Sequence, residues 1–309
     1  MNHQHTSTLS GRPLVEAMAS GSDMSTLRDA NLDSCGLTKF PLEILRLSGL
    51  TSLSLFDNRL TEVPGDIAQL HLLQTLNISQ NQLSAVPDSI DTLEHLEMLD
   101  LGHNHLTELP AYLGALRNLV FLYVSNNQLS SLPPSFAALS RLCYLNVADN
   151  CFHELPGWIA ELRSLIELRV YNNSLTTLPS GTGALRNLVE LQAYKNQITT
   201  LPDSIGQLLS LAKLNLQANH LSGLPESIGN LANLVELDLR FNHLSTLPSS
   251  ICRLCSLEYL DLRANALTAL PEDLHQLSHL RKLDLRWNRL GEHPRCLTML
   301  ANQGCIVYT

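Results

Sequence analysis

Residues 50–70 read LTSLSLFDNRLTEVPGDIAQL and contain one full unit of a pattern that runs along the chain. Leucines alternate around Leu53 and Leu55, which is typical of a short strand with one buried side. After Asn58, apolar residues follow Pro64 at intervals of three. That spacing indicates a 3₁₀ turn begun by proline, where the missing N–H costs nothing. The fixed positions of this unit are Leu50, Leu53, Leu55, Asn58, Leu60, Val63, Pro64, Ile67 and Leu70.

The same unit recurs with a constant period of 23 residues. Asparagine recurs at this interval from Asn58 to Asn288, with Cys35 in the equivalent place one step earlier. Proline recurs at the same interval from Pro41 to Pro294. One unit cannot bury its leucines alone, whereas stacked units share a continuous core, so the period predicts a stack of repeats.

This pattern, LPxxIxxLxxLxxLxLxxNxL, resembles the leucine-rich repeat family and covers about residues 27–294 without an insertion. It is similar to the repeats of intracellular Ras-group scaffolds and of bacterial type III effectors. The resemblance implies an α/β solenoid, a right-handed curved horseshoe with a concave parallel β-sheet and 3₁₀ or irregular turns on its convex side. It also implies a protein-binding role.

Three segments are predicted along the chain. Residues 1–26 form a tail, disordered to about residue 10, and an N-terminal cap that includes Leu14. Residues 27–294 form twelve repeats, and residues 295–309 form a C-terminal cap. The cap ends in a thirteenth strand at residues 305–308, with Ile306 and Tyr308 in its two core positions. We expect the chain to stop at this cap, without a further domain.

The recurring asparagines are expected to be buried where each strand ends. There the amide donates to and accepts from backbone groups that would otherwise be unpaired. They are therefore excluded from the candidate site. One repeat departs from the pattern, because Thr182 stands where other repeats have Ile, Leu or Phe, and Ala193 replaces a larger residue in the next strand. This rung is predicted to have a thin core.

Composition restricts the classes of partner and compartment. The chain has 309 residues, a net charge of -9 and 16% charged residues, which disfavours a nucleic acid or an acidic membrane as partner. The N-terminus has no Sec signal pattern, and no apolar run is long enough to span a bilayer. The seven cysteines are odd in number and scattered, which favours free thiols and a reducing compartment. We therefore expect a cytoplasmic protein, or alternatively one secreted into a host cell without a Sec signal.

Candidate binding residues lie where the repeats differ on the exposed side of the strands. Tyr and Arg are enriched at binding hot spots, and the five aromatics from Phe121 to Tyr194 would form one patch about 15 to 20 Å long. The alternative is that cross-strand aromatics only brace the sheet. The predicted partner-binding residues are Phe121, Tyr123, Tyr144, Glu167, Arg169, Tyr171, Tyr194, Lys195, Arg240, Phe241, Arg263, Arg286 and Trp287.

Charged columns occupy the last repeats. Asp238, Asp261 and Asp284 each precede an arginine by two residues, so both side chains lie on one side of the strand. Equal columns predict a lattice of surface ion pairs, each contributing roughly 0 to 1 kcal/mol. The alternative is a docking strip for a charged partner, with Trp287 and Arg289 at its edge.

Catalytic and cofactor chemistry find little support in the sequence. No nucleophile elbow, P-loop, zincin or kinase motif is present. The histidine pairs His103/His105 and His220/His243 lack a third ligand in register, and Cys252-x-x-Cys255 lacks a second half-site, so no metal and no cofactor is expected. The sequence predicts a monomeric, non-enzymatic module that binds another protein on its concave face, as a scaffold or signalling adaptor.

Two other functions remain open at this point. One is a secreted bacterial effector that binds a host protein. The other is an extracellular ligand-binding receptor fragment, which is disfavoured for two reasons. Receptors of this class usually have cysteine-paired caps, and here Cys296 and Cys305 allow a pair only at the C-terminal end. The sequons at Asn77 and Asn172 lie on or beside the sheet, where glycans would block binding.

Overall fold

The computed structural model describes residues 10–291 and 294–309. They fall into two compact units, which we call unit 1 (up to Asn150) and unit 2 (Cys151–Thr309). The tail predicted to be disordered lies outside the described residues, apart from Ser10. Both units are built from the same three parts: a short strand, a buried asparagine and a 3₁₀ turn.

The strands are parallel, three residues long, and follow one another in chain order within each unit. Except at the last strand, paired residues are 23 positions apart, as in Leu53 with Leu76 and Leu237 with Leu260, because each strand repeats the same leucine alternation. Unit 1 contains β1 (Asp29–Asn31), β2 (Ser52–Ser54), β3 (Thr75–Asn77), β4 (Met98–Asp100), β5 (Phe121–Tyr123) and β6 (Tyr144–Asn146). Unit 2 contains β7 (Glu167–Arg169), β8 (Glu190–Gln192), β9 (Lys213–Asn215), β10 (Glu236–Asp238), β11 (Tyr259–Asp261), β12 (Lys282–Asp284) and β13 (Ile306–Tyr308).

Five-residue 3₁₀ turns begin directly after the recurring prolines from Pro41 to Pro271, as the sequence predicts. In the turn after Pro64, the N–H of Ile67 donates to the proline carbonyl at 3.0 Å, and the Ile67 side chain is fully buried. The turns are Leu42–Arg46, Gly65–Gln69, Asp88–Thr92, Ala111–Ala115 and Pro134–Ala138 in unit 1. In unit 2 they are Gly157–Glu161, Ser180–Ala184, Asp203–Gln207, Glu226–Asn230, Ser249–Arg253 and Glu272–Gln276. The predicted solenoid of parallel strands and 3₁₀ turns is confirmed in each unit.

The recurring asparagines form a ladder of side-chain hydrogen bonds to the backbone. The amide of Asn127 donates to the carbonyls of Leu101, Val124 and Ser125 at 3.0 to 3.2 Å. Its oxygen accepts the N–H of Leu106 at 3.0 Å. Asn150, Asn173 and Asn288 are half-buried rather than buried, but they make the same kind of backbone hydrogen bonds. Within each unit, the ladder thus ties a repeat to the one before it.

An α-helix stands at each end of the described chain. In α1 (Arg12–Ala19), Leu14 is fully buried, and α2 (Arg295–Asn302) buries Cys296, Leu297 and Leu300. The prediction for β13 is wrong in its register. Val307, not Ile306 or Tyr308, pairs with the core residue Leu283, and Ile306 is 58% exposed.

The error has a physical cause. The eight-residue helix α2 replaces a five-residue 3₁₀ turn, which lengthens the last interval to the 24 residues between Leu283 and Val307. Because alternate strand residues point to opposite sides, a shift of one residue exchanges the core and exposed sides.

Other expectations concern thiols and membranes. All seven cysteines are free thiols, and burial raises the pKa of Cys252, Cys296 and Cys305. Within residues 10–291 and 294–309, no helix is long and apolar enough to cross a bilayer.

Candidate protein-binding face

Alternate residues of each strand point into the core, and the residues between them lie on the other side of the sheet. We call this surface the strand face. It consists of the residues six, four and two positions before each ladder residue (Cys35 or a recurring asparagine). The carboxyl edge is the set of residues two before, one before and one after each ladder residue.

Aromatic side chains meet on the strand face of unit 1. The ring of Tyr144 lies 4.7 Å from that of Tyr123 and 6.4 Å from that of Phe121, measured between centroids. Phe121 remains 41% exposed. These three predicted residues therefore form one cluster, held by pairing of β5 with β6.

A second aromatic group lies on the strand face of unit 2. The rings of Tyr171 and Tyr194 stack almost in parallel, with centroids 4.4 Å apart. Arg169 makes an ion pair with Glu167, and Lys195 is exposed beside Tyr194. The structure therefore brings together three of the predicted aromatics in unit 1 and two in unit 2. A single patch of all five stays a prediction.

The last rungs of unit 2 contain a lattice of ion pairs. Arg263 donates from Nε and Nη2 to the carboxylate of Asp261 at 2.6 to 3.1 Å, and its Nε lies 3.4 Å from Asp284. Arg286 binds Asp284 through Nε at 2.9 Å and Nη2 at 2.6 Å. The pairing expected from the two columns is therefore present.

Arg240 completes the row of three arginines. Its Nε lies 3.1 Å from Asp238, and its Nη2 donates to Gln217 at 2.7 Å. The contact to Asp238 is an ion pair without good hydrogen-bond alignment, because Arg240 Nε has no hydrogen-bond partner. Gln217 therefore provides the better-aligned hydrogen bond to this guanidinium.

The aspartates of this lattice also have a backbone role that sequence reasoning missed. The side-chain oxygen of Asp238 accepts the N–H of Arg240, two residues on, at 3.1 Å. Asn215 makes the equivalent bond to Gln217 in the preceding rung. An amide therefore meets the structural need as well as a carboxylate does. The negative charge of Asp238 is not required for the fold, and its use lies in pairing with arginine or in binding.

The pKa values of two of these aspartates, Asp238 and Asp284, are shifted in opposite directions. Loss of solvent raises the pKa of Asp238 to about 6, although the N–H and charge of Arg240 act against it. Burial alone would raise the pKa of Asp284 as well, but hydrogen bonds from Arg286 outweigh it and hold that pKa below its ordinary value. Asp238 is consequently the less stable anion of the two.

Two large aromatics meet at the carboxyl edge of unit 2. The rings of Phe241 and Trp287 lie 6.4 Å apart, although one whole repeat lies between the repeats to which they belong. Ala264 occupies the same position in the repeat between them, and its small side chain leaves room for this contact. Trp287 is 67% exposed, and the guanidinium of Arg286 lies 6.0 Å from its ring.

These aromatics occupy backbone positions that ordinarily suit smaller residues. The residue before each ladder residue has a left-handed conformation, with φ of 57° at Phe241 and 62° at Trp287. Large side chains are rare there, whereas Asn and Asp are enriched. The fold imposes this conformation, and the conformation itself does not favour an aromatic side chain at these two positions.

A groove of about 310 Å³ crosses the strand face of unit 2. Tyr259 lies in it between Glu236 and Lys282, with Asp238 and Asp261 on the neighbouring row. Tyr259 is missing from the predicted site, although it stands six residues before Asn265, the position equivalent to Phe121. Its position within the 23-residue repeat therefore identifies Tyr259 as a residue of the strand face.

The histidine and cysteine pairs do not assemble into a metal centre. The rings of His220 and His243 stack with centroids 5.5 Å apart. Among the described residues, no three His, Cys, Asp or Glu side chains are grouped so that they could hold a metal ion. The two histidines therefore stack as a pair without a third metal-ligating side chain among the described residues.

Comparison with known families gives the classification. A leucine-rich repeat region profile matches residues 89–172 and 135–218, and a leucine-rich repeat profile matches residues 48–106 and 224–290. The chain belongs to the leucine-rich repeat family. Proteins of this family generally act as protein-interaction modules.

Solved structures of other leucine-rich repeat proteins resemble this one. A leucine-rich repeat protein of Leptospira interrogans is 38% identical, with a TM-score of 0.89 over 93% of this chain and 73% of that protein. The plant peptide hormone receptor RGFR1, in complex with RGF2, is 28% identical, with a TM-score of 0.70 over 92% of this chain. The Arabidopsis receptor kinase HAESA, in complex with the peptide hormone IDA and the co-receptor SERK1, is 26% identical, with a TM-score of 0.66 over 91% of this chain.

The leucine-rich repeat chain spans only part of these receptors, 55% of RGFR1 and 52% of HAESA as solved. A search of curated protein sequences found no match.

Proposed function

We propose that this leucine-rich repeat protein is a non-catalytic module that binds a partner protein through its strand face. The observation that carries the proposal is the exposure of large aromatic side chains, Phe121 and Tyr259 on that face and Phe241 and Trp287 at its carboxyl edge. An aromatic side chain in water gains free energy when a partner covers it, and such residues dominate binding energies. The peptide complexes of the related plant receptors support the same use of the fold.

Two roles fit this proposal at a finer level. In the first, the module is a monomeric cytoplasmic scaffold or signalling adaptor, which the seven free thiols favour. In the second, it is a bacterial effector that binds a host protein. The 38% identical Leptospira protein favours a bacterial setting for this second role. Both roles use the strand face in the same way.

The chain offers a matched pair of aromatics for testing the proposal. Phe121 lies on the strand face and is 41% exposed, whereas Tyr112 lies in the 3₁₀ turn Ala111–Ala115 and is 40% exposed. Partner capture from lysate is compared for the native chain, Phe121→Ala/Tyr123→Ala and Tyr112→Ala. We expect a captured protein whose affinity falls at least about tenfold in the strand-face variant. Tyr112→Ala should leave that affinity unchanged, and equal loss in both variants would contradict the proposal.

A further inference from the structure

The carboxyl edge of unit 2 has an unusual charge for this protein. It contains five cations and no carboxylate, although the whole chain has a net charge of -9. The cations are Lys195, Arg240, Arg263, Arg286 and Arg289. The exposed pair His220 and His243 lies on the same edge.

The ion-pair lattice reduces this charge but leaves part of it uncompensated. Arg240, Arg263 and Arg286 are paired with aspartates of the strand face. Among the described residues, Lys195 and Arg289 make no ion pair, and both are exposed. Each paired arginine also keeps Nη1 free of hydrogen bonds to described residues, because its bonds and ion pairs use Nε and Nη2.

Such an arrangement suits carboxylates on a partner. A guanidinium can bind its own aspartate with one edge and still donate to a second carboxylate, and charge-assisted bonds of this kind are among the stronger ones in proteins. The aspartates hold the guanidinium groups in fixed orientations, which lowers the entropy lost on binding.

The aromatic pair gives the edge an apolar contact as well. Phe241 and Trp287 meet above Ala264, next to Arg240 and Arg286 in sequence. Both occupy left-handed positions that favour smaller residues, so the backbone conformation does not account for their size.

We propose that the carboxyl edge of unit 2 binds an acidic segment of the partner protein that carries a large apolar side chain. The cations contact its carboxylates, and Phe241 and Trp287 cover the apolar side chain. This inference rests on the proposed function and specifies the chemistry of the partner.

The test uses a random peptide library displayed on phage and selected on the full chain. Selected peptides are then synthesised with a fluorescent label for anisotropy titrations. We expect enrichment in Asp and Glu together with Phe, Trp or Leu. Affinity should fall at least about tenfold between about 50 and 300 mM NaCl, because salt screens exposed charges. Selected peptides that are neutral or basic would overturn the proposal.

Charge-matched variants locate the site. Lys195→Gln/Arg289→Gln removes two cations from the edge, and Arg186→Gln/Arg253→Gln removes two exposed cations outside it. The first variant should weaken the selected peptides at least about fivefold and the second should not. Peptides that lose affinity with Phe121→Ala/Tyr123→Ala but not with the edge variant would refute the acidic site while leaving the proposed function intact.

Trp287→Asn separates a binding role from a structural one. Asn suits the left-handed backbone, so the melting temperature should stay equal or rise while peptide affinity falls at least about tenfold. A lower melting temperature would mean that the tryptophan braces the fold, which contradicts the proposal. Labelled duplex DNA and phosphatidylserine vesicles complete the test, and tighter binding of either than of the selected peptides would also overturn it.

Discussion

The carboxyl edges of the two units have the same backbone conformation but opposite net charge. In unit 1 the edge has three carboxylates, Asp33, Asp57 and Asp149, against the single cation Arg59. In unit 2 it has five cations and no carboxylate. The ladder asparagines make the same hydrogen bonds in both units, as Asn127 and Asn242 show. The fold therefore fixes the backbone of the edge and leaves its side chains open to selection for binding.

The aromatic residues differ between the units in the same way. In unit 1 three of them, Phe121, Tyr123 and Tyr144, lie six or four residues before the ladder asparagine, and none stands directly before it. In unit 2 two of them, Phe241 and Trp287, stand directly before it. A partner that contacts both units would therefore meet different chemistry on each, which is how a repeat protein gains specificity from near-identical units.

The largest expected effect tests whether both units depend on the same close packing between neighbouring 3₁₀ turns. A Cβ added at Gly114 in unit 1 or Gly206 in unit 2 would come within 3.0 Å of the backbone of the next 3₁₀ turn. Because that turn must shift, we expect Gly114→Ala and Gly206→Ala each to lower the free energy of unfolding by about 1 to 3 kcal/mol in urea titrations.

Each unit contains a control for this experiment. Gly223 has no atom within 4 Å of the added Cβ, and Gly65 meets only ordinary van der Waals contact. Gly65→Ala and Gly223→Ala should be neutral or stabilise by up to about 1 kcal/mol. A large cost in one unit and none in the other would show that the two scaffolds are not equivalent.

The regular repeats determine how much of the fold can be predicted from the sequence. The 23-residue period is enough to predict the strands, the 3₁₀ turns and the asparagine ladder, because each depends on residues within one repeat or its neighbouring repeat. It does not predict β13, since the length of α2 depends on local helix formation near Arg295 and not on the period.

The candidate site was less accessible to sequence reasoning. Exposed positions can be read from the repeat frame, and Tyr123 and Tyr144 do meet on the strand face. The contact of Phe241 with Trp287 could not be read in this way. It depends on two rings leaning towards each other across Ala264, which is a rotamer choice rather than a spacing.

An effect of similar size tests the charge difference directly. Asp238→Asn converts one rung of unit 2 to the amide found at Asn77 and Asn146 in unit 1, and keeps an acceptor for the N–H of Arg240. Burial raises the folded pKa of Asp238 to about 6, above the ordinary value of 3.8. Ionisation therefore penalises the folded state as the pH rises from about 4 to above 6.

Relative to the native chain, the Asp238→Asn variant should gain stability over that pH window. We expect a gain of about 1 to 3 kcal/mol between pH 4 and pH 8, at 1.36 kcal/mol per pKa unit. Urea unfolding of both proteins at the two pH values measures it. A difference that does not change with pH would mean that Arg240 compensates the carboxylate fully in the folded state.

The smallest expected effect concerns the rung at which unit 2 departs from unit 1. The described 3₁₀ turns of unit 1 place Ile, Leu or Phe three residues after the proline, whereas unit 2 has Thr182 there, buried, with buried Ala193 in the next strand. The hydroxyl of Thr182 donates to the carbonyl of Pro179 at 2.7 Å, but that carbonyl also accepts the N–H of Thr182.

Replacing the hydroxyl with an apolar group leaves no acceptor unpaired, and Thr182→Ile adds apolar area at roughly 25 cal/mol per Å². We expect a gain of about 0.5 to 2 kcal/mol and slower amide exchange over residues 180–194. Thr182→Val is the control, because it removes the hydroxyl without filling space. Equal gains in Val and Ile would assign the effect to the lost hydroxyl, and a destabilised Ile variant would show that this rung of unit 2 is already filled.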